Sequence, residues 1–224
     1  HLYNPFTKTV IASFYGDTVS DYLGGTSVTA LGNNNFVIAS ANDEVNSVSN
    51  AGSVMLVSGT TGEQIGTTLV GDNASDQLGN SSVTALGNNN FVIASALDDV
   101  NSVVNAGSVM LVSGTSGAQI GTTIAGDTED DMLGNSSVTA LGNNNFVIAS
   151  RRDDVNSVTD AGSVMLVSGT TGVQIGTTIA GDTASDYLGI TGVTALGNNN
   201  FVIASHNDDV NSVSNAGSVM LVSG

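Results

Sequence analysis

The chain has 224 residues, with 20 acidic residues against three basic ones, a formal net charge of −17 and no cysteine. This acidity argues against nucleic acid and anionic membranes as partners, because their binding depends on cationic side chains. The absence of cysteine excludes disulfides, thiolate metal sites and a cysteine nucleophile. No apolar run reaches the roughly 18 to 20 residues of a membrane helix, and the first residues lack a signal-peptide pattern. We therefore expect one soluble domain, 1–224, from which any signal peptide has been removed.

Residues 1–15 form a leader that differs from the rest of the chain. Its second half is rich in β-branched and apolar residues, which predicts one strand. The residues of this predicted strand are Thr9, Val10, Ile11, Ala12, Ser13 and Phe14.

The remainder of the chain is one 55-residue unit written four times, at 16–70, 71–125, 126–180 and 181–224, the last copy being shorter. The segment LGNNNFVIAS recurs without substitution from Leu31, Leu86, Leu141 and Leu196. Identical sequence at a fixed spacing predicts the same local structure in each copy, as in propellers and solenoids.

Each copy contains four short stretches rich in Val, Ile, Thr and Phe, bounded by Gly, Asn, Asp or Ser. In the second copy they are residues 82–86, 90–95, 107–114 and 119–125. They are too short for typical helices and predict four antiparallel strands, with the Gly87-Asn88-Asn89 segment as the first hairpin turn. The second and third stretches are apolar on both faces, so both faces must be covered. This predicts an all-β fold, a four-bladed β-propeller of four-stranded antiparallel blades. A parallel β-helix is the structural alternative.

The last copy lacks the segment equivalent to residues 60–70, which would hold its fourth strand. Because an unpaired sheet edge is a liability that proteins close or cover, we expect the leader strand to complete this blade and close the propeller within one molecule. The alternative is that the leader completes the open blade of a neighbouring molecule, which would give oligomers or a fibre.

The acidic residues belong to the repeat, since 16 of the 20 lie at recurring positions. The loop after the second strand combines carboxylates with amides, which is typical of calcium sites. The candidate ligands, and with them calcium as the possible cofactor, are Asp43, Asn46, Asp98, Asn101, Asp153, Asn156, Asp208 and Asn211. The competing interpretation, which we favour, is that these side chains make turns by bonding nearby backbone amides. The same two interpretations apply to the GDTxxD turn that opens each repeat, as in residues 181–186.

One loop position changes in every copy while the flanking strands stay the same. It reads Ala41-Asn42, Ala96-Leu97, Arg151-Arg152 and His206-Asn207. Because binding residues concentrate on loops, this position is a candidate for partner contacts. The candidate residues are Asn42, Leu97, Arg151, Arg152, His206 and Asn207. Drift at an unconstrained surface position explains the variation equally well.

The order DxLGxSSVTALGNNNFVIAS, followed by DDVNSVxNAGSVMLVSGTTG, resembles the FG-GAP-type repeats of integrin-like β-propellers. It is more similar still to the VTAL-NGN-FVV-SP repeats of large bacterial surface and secreted proteins. Leu78-Gly79 stands in for the Phe-Gly of that family. The family's DxDxDG calcium loop is replaced here by GNNN, and its rings usually have about seven blades, within the usual range for propellers. The resemblance implies an extracellular bacterial protein of adhesion, surface display or assembly, without enzyme chemistry.

No catalytic motif such as HExxH or GxSxG is present, and neither His1 nor His206 is part of the repeat. We therefore expect a non-enzymatic protein located outside the cell or on its surface. The first hypothesis is a structural protein that self-assembles into a fibre or surface layer, with itself as partner. The second is an adhesin or lectin-like propeller whose partner is a surface glycan or protein.

Overall fold

The computed structural model describes residues 1–224 and consists of seventeen strands joined by turns and loops. No helix in it has the length and apolar character needed to cross a membrane. The strands are β1 Leu2–Asn4, β2 Thr9–Ala12, β3 Ser27–Ala30, β4 Asn35–Ser40, β5 Ser53–Ser58, β6 Leu69–Val70, β7 Ser82–Ala85, β8 Phe91–Ser95, β9 Ser108–Val112, β10 Gln119–Ala125, β11 Ser137–Ala140, β12 Phe146–Ser150, β13 Ser163–Val167, β14 Gln174–Ala180, β15 Val193–Ala195, β16 Phe201–Ser205 and β17 Ser218–Val222.

Each repeat folds into its own antiparallel sheet. Sheet 1 is β3–β6, sheet 2 is β7–β10, sheet 3 is β11–β14, and sheet 4 contains the three strands β15–β17. Equivalent residues pair in the same register, so that Phe91 lies opposite Val112 in sheet 2 as Phe146 lies opposite Val167 in sheet 3. The predicted all-β architecture of repeated antiparallel sheets is confirmed, with four strands in the first three repeats and three in the last.

The GNNN segment forms the hairpin between the first two strands of each sheet, as its composition predicts. In sheet 2, Asn89 has a φ of 69° and its N–H donates to the carbonyl of Leu86 at 3.1 Å. Asparagine tolerates this left-handed conformation better than most residues. The turn is therefore encoded locally and identically in every copy.

The sheets stack in chain order along their first strands, with β3 beside β7, β7 beside β11 and β11 beside β15. Between neighbouring sheets lies an apolar core, and there are three such cores. We call the face that a sheet turns to the next repeat its forward face. In sheet 2 the forward face consists of Leu86, Val92, Ala94, Val109 and Leu111. We call the face that a sheet turns to the preceding repeat its backward face. In sheet 3 the backward face consists of Leu133, Val138, Phe146, Ile148 and Val167.

Polar side chains also connect neighbouring sheets. The Thr84 hydroxyl donates to the Val138 carbonyl at 3.1 Å, and Thr139 donates to Val193 in the same way at 3.2 Å. The side-chain amides of Asn88 and Asn90 both donate to the Gly169 carbonyl, at 2.8 and 2.9 Å. Each step of the stack is thus fixed by an apolar core and by hydrogen bonds at defined positions.

The expected closure by the leader does not form in this structure. The predicted strand over residues 9–14 is present as β2, but it pairs with β1 in a separate two-stranded sheet and not with β17. The two ends of the stack do not cover each other either, because Val28 of sheet 1 is 65% exposed and Leu221 of sheet 4 is 68% exposed. A strand can pair with whichever edge lies nearest, and the short turn between β1 and β2 places that edge within the leader.

Candidate functional site

Four equivalent acidic clusters lie between the opening turn of each repeat and the long loop after its second strand. In each, three aspartates hold carboxylate oxygens within 4.8 Å of one another. The clusters are Asp17, Asp21 and Asp43; Asp72, Asp76 and Asp98; Asp127, Asp131 and Asp153; and Asp182, Asp186 and Asp208. Because like charges so close together repel, each cluster needs compensating donors, protons or cations.

The central aspartate of each cluster is compensated by hydrogen bonds. Asp131 is fully buried, and one of its carboxylate oxygens accepts the N–H groups of Asp127 and Thr128 at 2.9 and 2.7 Å. The other oxygen accepts the Thr128 hydroxyl at 2.5 Å and the N–H of Asp154 at 3.1 Å. Four donors satisfy a buried carboxylate well. Asp131 therefore fastens the opening turn of the repeat to the long loop.

The third aspartate of the cluster lies in a less favourable environment. Asp153 accepts the hydroxyl of Ser163, but burial, followed by repulsion from Asp131 and Asp127, raises its pKa to about 6. Burial likewise raises the pKa of Asp98 and of Asp43. These groups favour a bound proton in the folded state, and a divalent cation would satisfy the same excess of negative charge.

The predicted calcium ligands are only partly brought together. Asp43, Asp98, Asp153 and Asp208 each join a cluster, whereas the amides predicted with them adopt left-handed turn conformations. Asn101, for example, has a φ of 53° in the tight turn where Val100 and Val103 pair. Asn101 and Asp98 nevertheless line one cleft of about 320 Å³, and Asn46 and Asp43 line its equivalent of about 330 Å³ in sheet 1. Calcium binding stays a prediction.

The cluster members that the loop prediction missed are the aspartates of the opening turn, such as Asp127 and Asp131. The opening turn and the long loop are far apart in each repeat and were predicted as separate candidate sites. They meet because the first two strands of a repeat form a hairpin, whose ends lie side by side. A constant spacing of 22 residues between Asp131 and Asp153, repeated between Asp76 and Asp98, is the signal that could have found this pairing.

The variable loop position borders open clefts on the rim of two sheets. Arg151 and Arg152 line a cleft of about 350 Å³ with Asp160, Tyr187 and Ile190. Asn42 lines a different cleft, formed within the first repeat by its opening turn and its long loop, beside Tyr22. At the same position in the other copies, Leu97 and Asn207 are half-buried and His206 is exposed. The cleft at Arg151 is built by two successive repeats, and the cleft at Asn42 is built by one repeat. In both clefts the variable pair of residues lies beside an aromatic ring.

The forward face of sheet 4 is exposed, unlike the forward faces of the internal sheets. Its residues are Leu196, Val202, Ala204, Val219 and Leu221. Val219 is 73% exposed, although its equivalent Val109 is 1% exposed. The exposure of this face is not predictable from its sequence, because the same residues form a core in the other repeats.

Comparison with known proteins identifies the repeat but not an activity. Four segments of the chain, 30–80, 85–134, 140–189 and 195–224, match the model of a family described as a repeat of unknown function, DUF5650. No curated protein matches the chain. The comparison supports a repeat protein, and it does not support the resemblance to FG-GAP or integrin-like repeats.

Proposed function

Since the chain belongs to the family described as a repeat of unknown function, DUF5650, we propose that its function resides in the repeated stack itself. The protein is a non-enzymatic structural protein that self-assembles through the same sheet faces by which its repeats stack on one another. Its partner is another copy of the same repeat.

The contact between successive repeats carries this proposal. Each internal forward face is covered by the backward face of the next repeat, and Val109 and Leu111 of sheet 2 are 1% and 2% exposed. The forward-face residues are the same in all four repeats, so a repeat of one copy offers the surface that a repeat of another copy is built to cover. Burying each such side chain contributes about 1.5 to 3 kcal/mol, which favours the stacking of one copy on another.

We further propose that the sheets are propeller-like blades in an open stack. A closed four-bladed ring would bury Val28 against Leu221, and both are exposed. An open stack grows by adding copies in the same orientation, and such head-to-tail contacts form filaments when the rotation per copy does not return to the start. A location outside the cell or on its surface suits a fibre or surface layer of this kind.

The proposal is tested by light scattering over a dilution series at low and at physiological ionic strength. We expect masses that rise with concentration above the 22.3 kDa of one chain, and that rise further with salt, because salt screens repulsion between copies that each carry −17. Leu221→Asp places a charge on the forward face and should restore the monomer. A mass of one chain at every concentration and ionic strength would reject self-assembly.

The rim cleft at Arg151 supports a second candidate function, that of an adhesin or lectin-like binding protein. The cleft is lined by the cationic side chains of Arg151 and Arg152, by the carboxylate of Asp160 and by the ring of Tyr187. A partly exposed tyrosine offers both a stacking surface and a hydroxyl to a sugar or peptide. This candidate predicts that monomeric protein gives a specific signal on a glycan array, and that Tyr187→Ala removes it. Tyr3→Ala in the leader is the control, because Tyr3 lies outside the cleft.

A further inference from the structure

The rim cleft at Arg151 lies where the third and fourth repeats meet, and backbone contacts fix its walls. The opening turn of the fourth repeat rests on the end of the third repeat's long loop. There the N–H groups of Tyr187 and Leu188 donate to the carbonyls of Asp160 and Ala161 at 3.1 and 2.9 Å. A side-chain carbon added at Gly162 would lie 2.3 Å from the Leu188 nitrogen, so the two repeats meet without a gap. Walls of this kind hold their side chains in place before a ligand binds.

The same backbone arrangement recurs at the two other junctions between successive repeats. The N–H groups of Gln77 and Met132, which stand at the repeat position of Tyr187, donate to the carbonyls of Asn50 and Asn105 at 3.1 and 3.0 Å. Gln77, Met132 and Tyr187 have left-handed φ angles of 51°, 50° and 50°. The backbone of the junction therefore does not depend on which side chain this position carries, and the side chains are free to differ.

The side chains of the third junction differ from those of the other two at all five positions that line the cleft. At the third junction they are Arg151, Arg152, Asp160, Tyr187 and Ile190. Their equivalents are Ala41, Asn42, Asn50, Gln77 and Asn80 at the first junction, and Ala96, Leu97, Asn105, Met132 and Asn135 at the second. Neither of those sets contains a charge or an aromatic ring. Charged and aromatic groups are thus concentrated in one cleft, on a scaffold that does not require them.

The two guanidinium groups of the cleft are available to an anion. Arg151 is held through its backbone, whose N–H donates to the Ser136 hydroxyl at 3.2 Å. Neither the Arg151 nor the Arg152 guanidinium forms an ion pair, although the Asp160 carboxylate lines the same cleft. Guanidinium groups present their N–H donors in a planar fork that matches the two oxygens of a carboxylate. Two of the three basic residues of the chain lie here, so this cleft is the place where an anionic group is best received.

Asp160 and Tyr187 determine what else the ligand must carry. The Tyr187 hydroxyl lies 3.5 Å from Oδ2 of Asp160, and the half-buried Tyr187 ring presents an apolar surface on which the C–H face of a sugar ring can stack. The Asp160 carboxylate accepts hydrogen bonds from hydroxyl groups and repels a second anionic group. The volume of about 350 Å³ is at the lower end for ligand pockets. The matching ligand has one carboxylate, several hydroxyls and a small ring.

We propose that the cleft between the third and fourth repeats binds a sugar with a single carboxylate, a uronic acid at the end of a glycan. Arg151 and Arg152 bind the carboxylate, Tyr187 stacks on the ring, and Asp160 accepts its hydroxyls. The inference rests on the second candidate function proposed above and names the ligand class of that site. An acidic peptide fits less well, because it offers several anionic groups to Asp160 and few hydroxyls. The net charge of −17 likewise disfavours a polyanion.

The ligand class is tested by NMR titration of the full chain with methyl glucuronide and methyl glucoside. The two sugars differ only in a carboxylate that replaces a hydroxymethyl group. We expect the glucuronide to bind at least tenfold more tightly, because hydrogen bonds to an ionised group are the stronger ones. Equal affinities would overturn the inference. Sodium acetate is the third probe, and acetate that binds as tightly as the glucuronide would mean that the cleft recognises an anion and not a sugar.

Matched variants locate the binding groups. The double variant Arg151→Gln/Arg152→Gln should reduce the preference for the glucuronide to less than twofold. Lys8→Gln removes the third basic side chain, which lies outside the cleft, and should leave the preference unchanged. Tyr187→Ala should weaken the binding of both sugars at least fivefold, whereas Tyr22→Ala, at the same repeat position in the first repeat, should not. A preference for the glucuronide that survives in the double arginine variant would contradict the assignment.

Two outcomes separate this inference from the candidate function on which it rests. If both sugars bind equally and Tyr187→Ala removes the binding of both, the cleft binds sugars without recognising a carboxylate, and only the inference fails. If neither sugar shifts a resonance of the cleft and the glycan array gives no signal, the inference and the binding function both fail. Self-assembly is judged separately by light scattering, because the cleft lies on the rim and not on the faces by which the sheets stack.

Discussion

Leu111 and Leu221 occupy the same repeat position on the third strand of sheets 2 and 4, yet Leu111 is 2% exposed and Leu221 is 68% exposed. The difference comes from the neighbouring repeat alone, since the flanking sequences GSVMLVSG are identical. The pair therefore measures what one sheet-to-sheet contact contributes to stability.

We expect Leu111→Ala to lower the free energy of unfolding by about 2 to 5 kcal/mol, because it leaves a cavity in a packed core. Leu221→Ala should change it by less than about 0.5 kcal/mol in dilute monomeric protein, because the side chain is solvated. Urea denaturation followed by circular dichroism measures both. Equal losses would contradict the open end of the stack.

Gly107 and Gly217 form a second matched pair. Both have left-handed φ angles, 73° and 75°. A side-chain carbon at Gly107 would clash with the backbone of Leu133 in the next sheet, whereas at Gly217 the nearest atom is 3.4 Å away. Alanine at either position carries a conformational cost of about 1 to 2 kcal/mol. Gly107→Ala should therefore lower the melting temperature clearly more than Gly217→Ala, and similar decreases would argue against the close approach of the sheets.

The strands and hairpins of the repeat are predictable from sequence, because local composition alone determines them. Phe91 to Ser95 is too short for a helix, and Asn88 and Asn89 favour a tight turn wherever they occur. The partner of the leader strand is not predictable in this way. Val10 pairs with Tyr3 of β1, whereas the composition of the leader strand suits the edge of a repeat equally well.

The acidic clusters were predictable in part for a related reason. The Asp98 loop is recognisable as a polar turn, but its contact with Asp76 depends on how the hairpin brings the opening turn and the loop together. Likewise, the exposure of Val219 depends on a neighbouring sheet and not on the strand itself. The properties that the sequence did not predict were those that depend on contacts between distant segments, within one repeat for Asp76 and Asp98 and between repeats for Val219.

Asp131 is expected to be the aspartate whose loss costs most. Asp131→Asn removes the charge and turns an amide N–H₂ toward donors that now lack an acceptor, so we expect a loss of about 2 to 4 kcal/mol in unfolding free energy. Asp127→Asn is the control, because Asp127 belongs to the same cluster but is exposed and accepts no hydrogen bond. It removes the same charge and should be neutral or slightly stabilising. Equal effects in chemical denaturation would mean that charge, and not hydrogen bonding, determines the role of Asp131.

Asp153 should give the protein a pH-dependent stability in the mildly acidic range. Its pKa is raised from 3.8 to about 6 by burial and by its neighbouring carboxylates. The folded state therefore binds a proton more tightly than the unfolded state, and this stabilising contribution is complete below about pH 4 and is lost as the pH rises through 6. The side chain of the Asp153→Asn variant is uncharged at every pH. At pH 7.5 the variant should therefore have a higher melting temperature than the unchanged protein, by about 2 to 4 °C for each kcal/mol of stability gained. At pH 4 the difference should disappear. A constant difference from pH 4 to 7.5 would exclude Asp153 as the titrating group.

The threonine hydroxyls on the first strands should contribute only where a following sheet exists. Thr84→Val removes the hydrogen bond to the Val138 carbonyl, which is 3.1 Å long, and keeps the shape of the side chain, so we expect a loss of about 0.5 to 1.5 kcal/mol. Thr194→Val, at the same repeat position in sheet 4, should have no measurable effect on the dilute monomer because no sheet follows to accept the bond. Under conditions where copies associate, the same variant should weaken association, because it lacks the hydroxyl that Thr194 of the unchanged protein would donate to the Val28 carbonyl of the next copy. Thermal unfolding of the monomer and light scattering of the concentrated protein together distinguish these cases, and a destabilised Thr194→Val monomer would show that the fourth sheet is already covered.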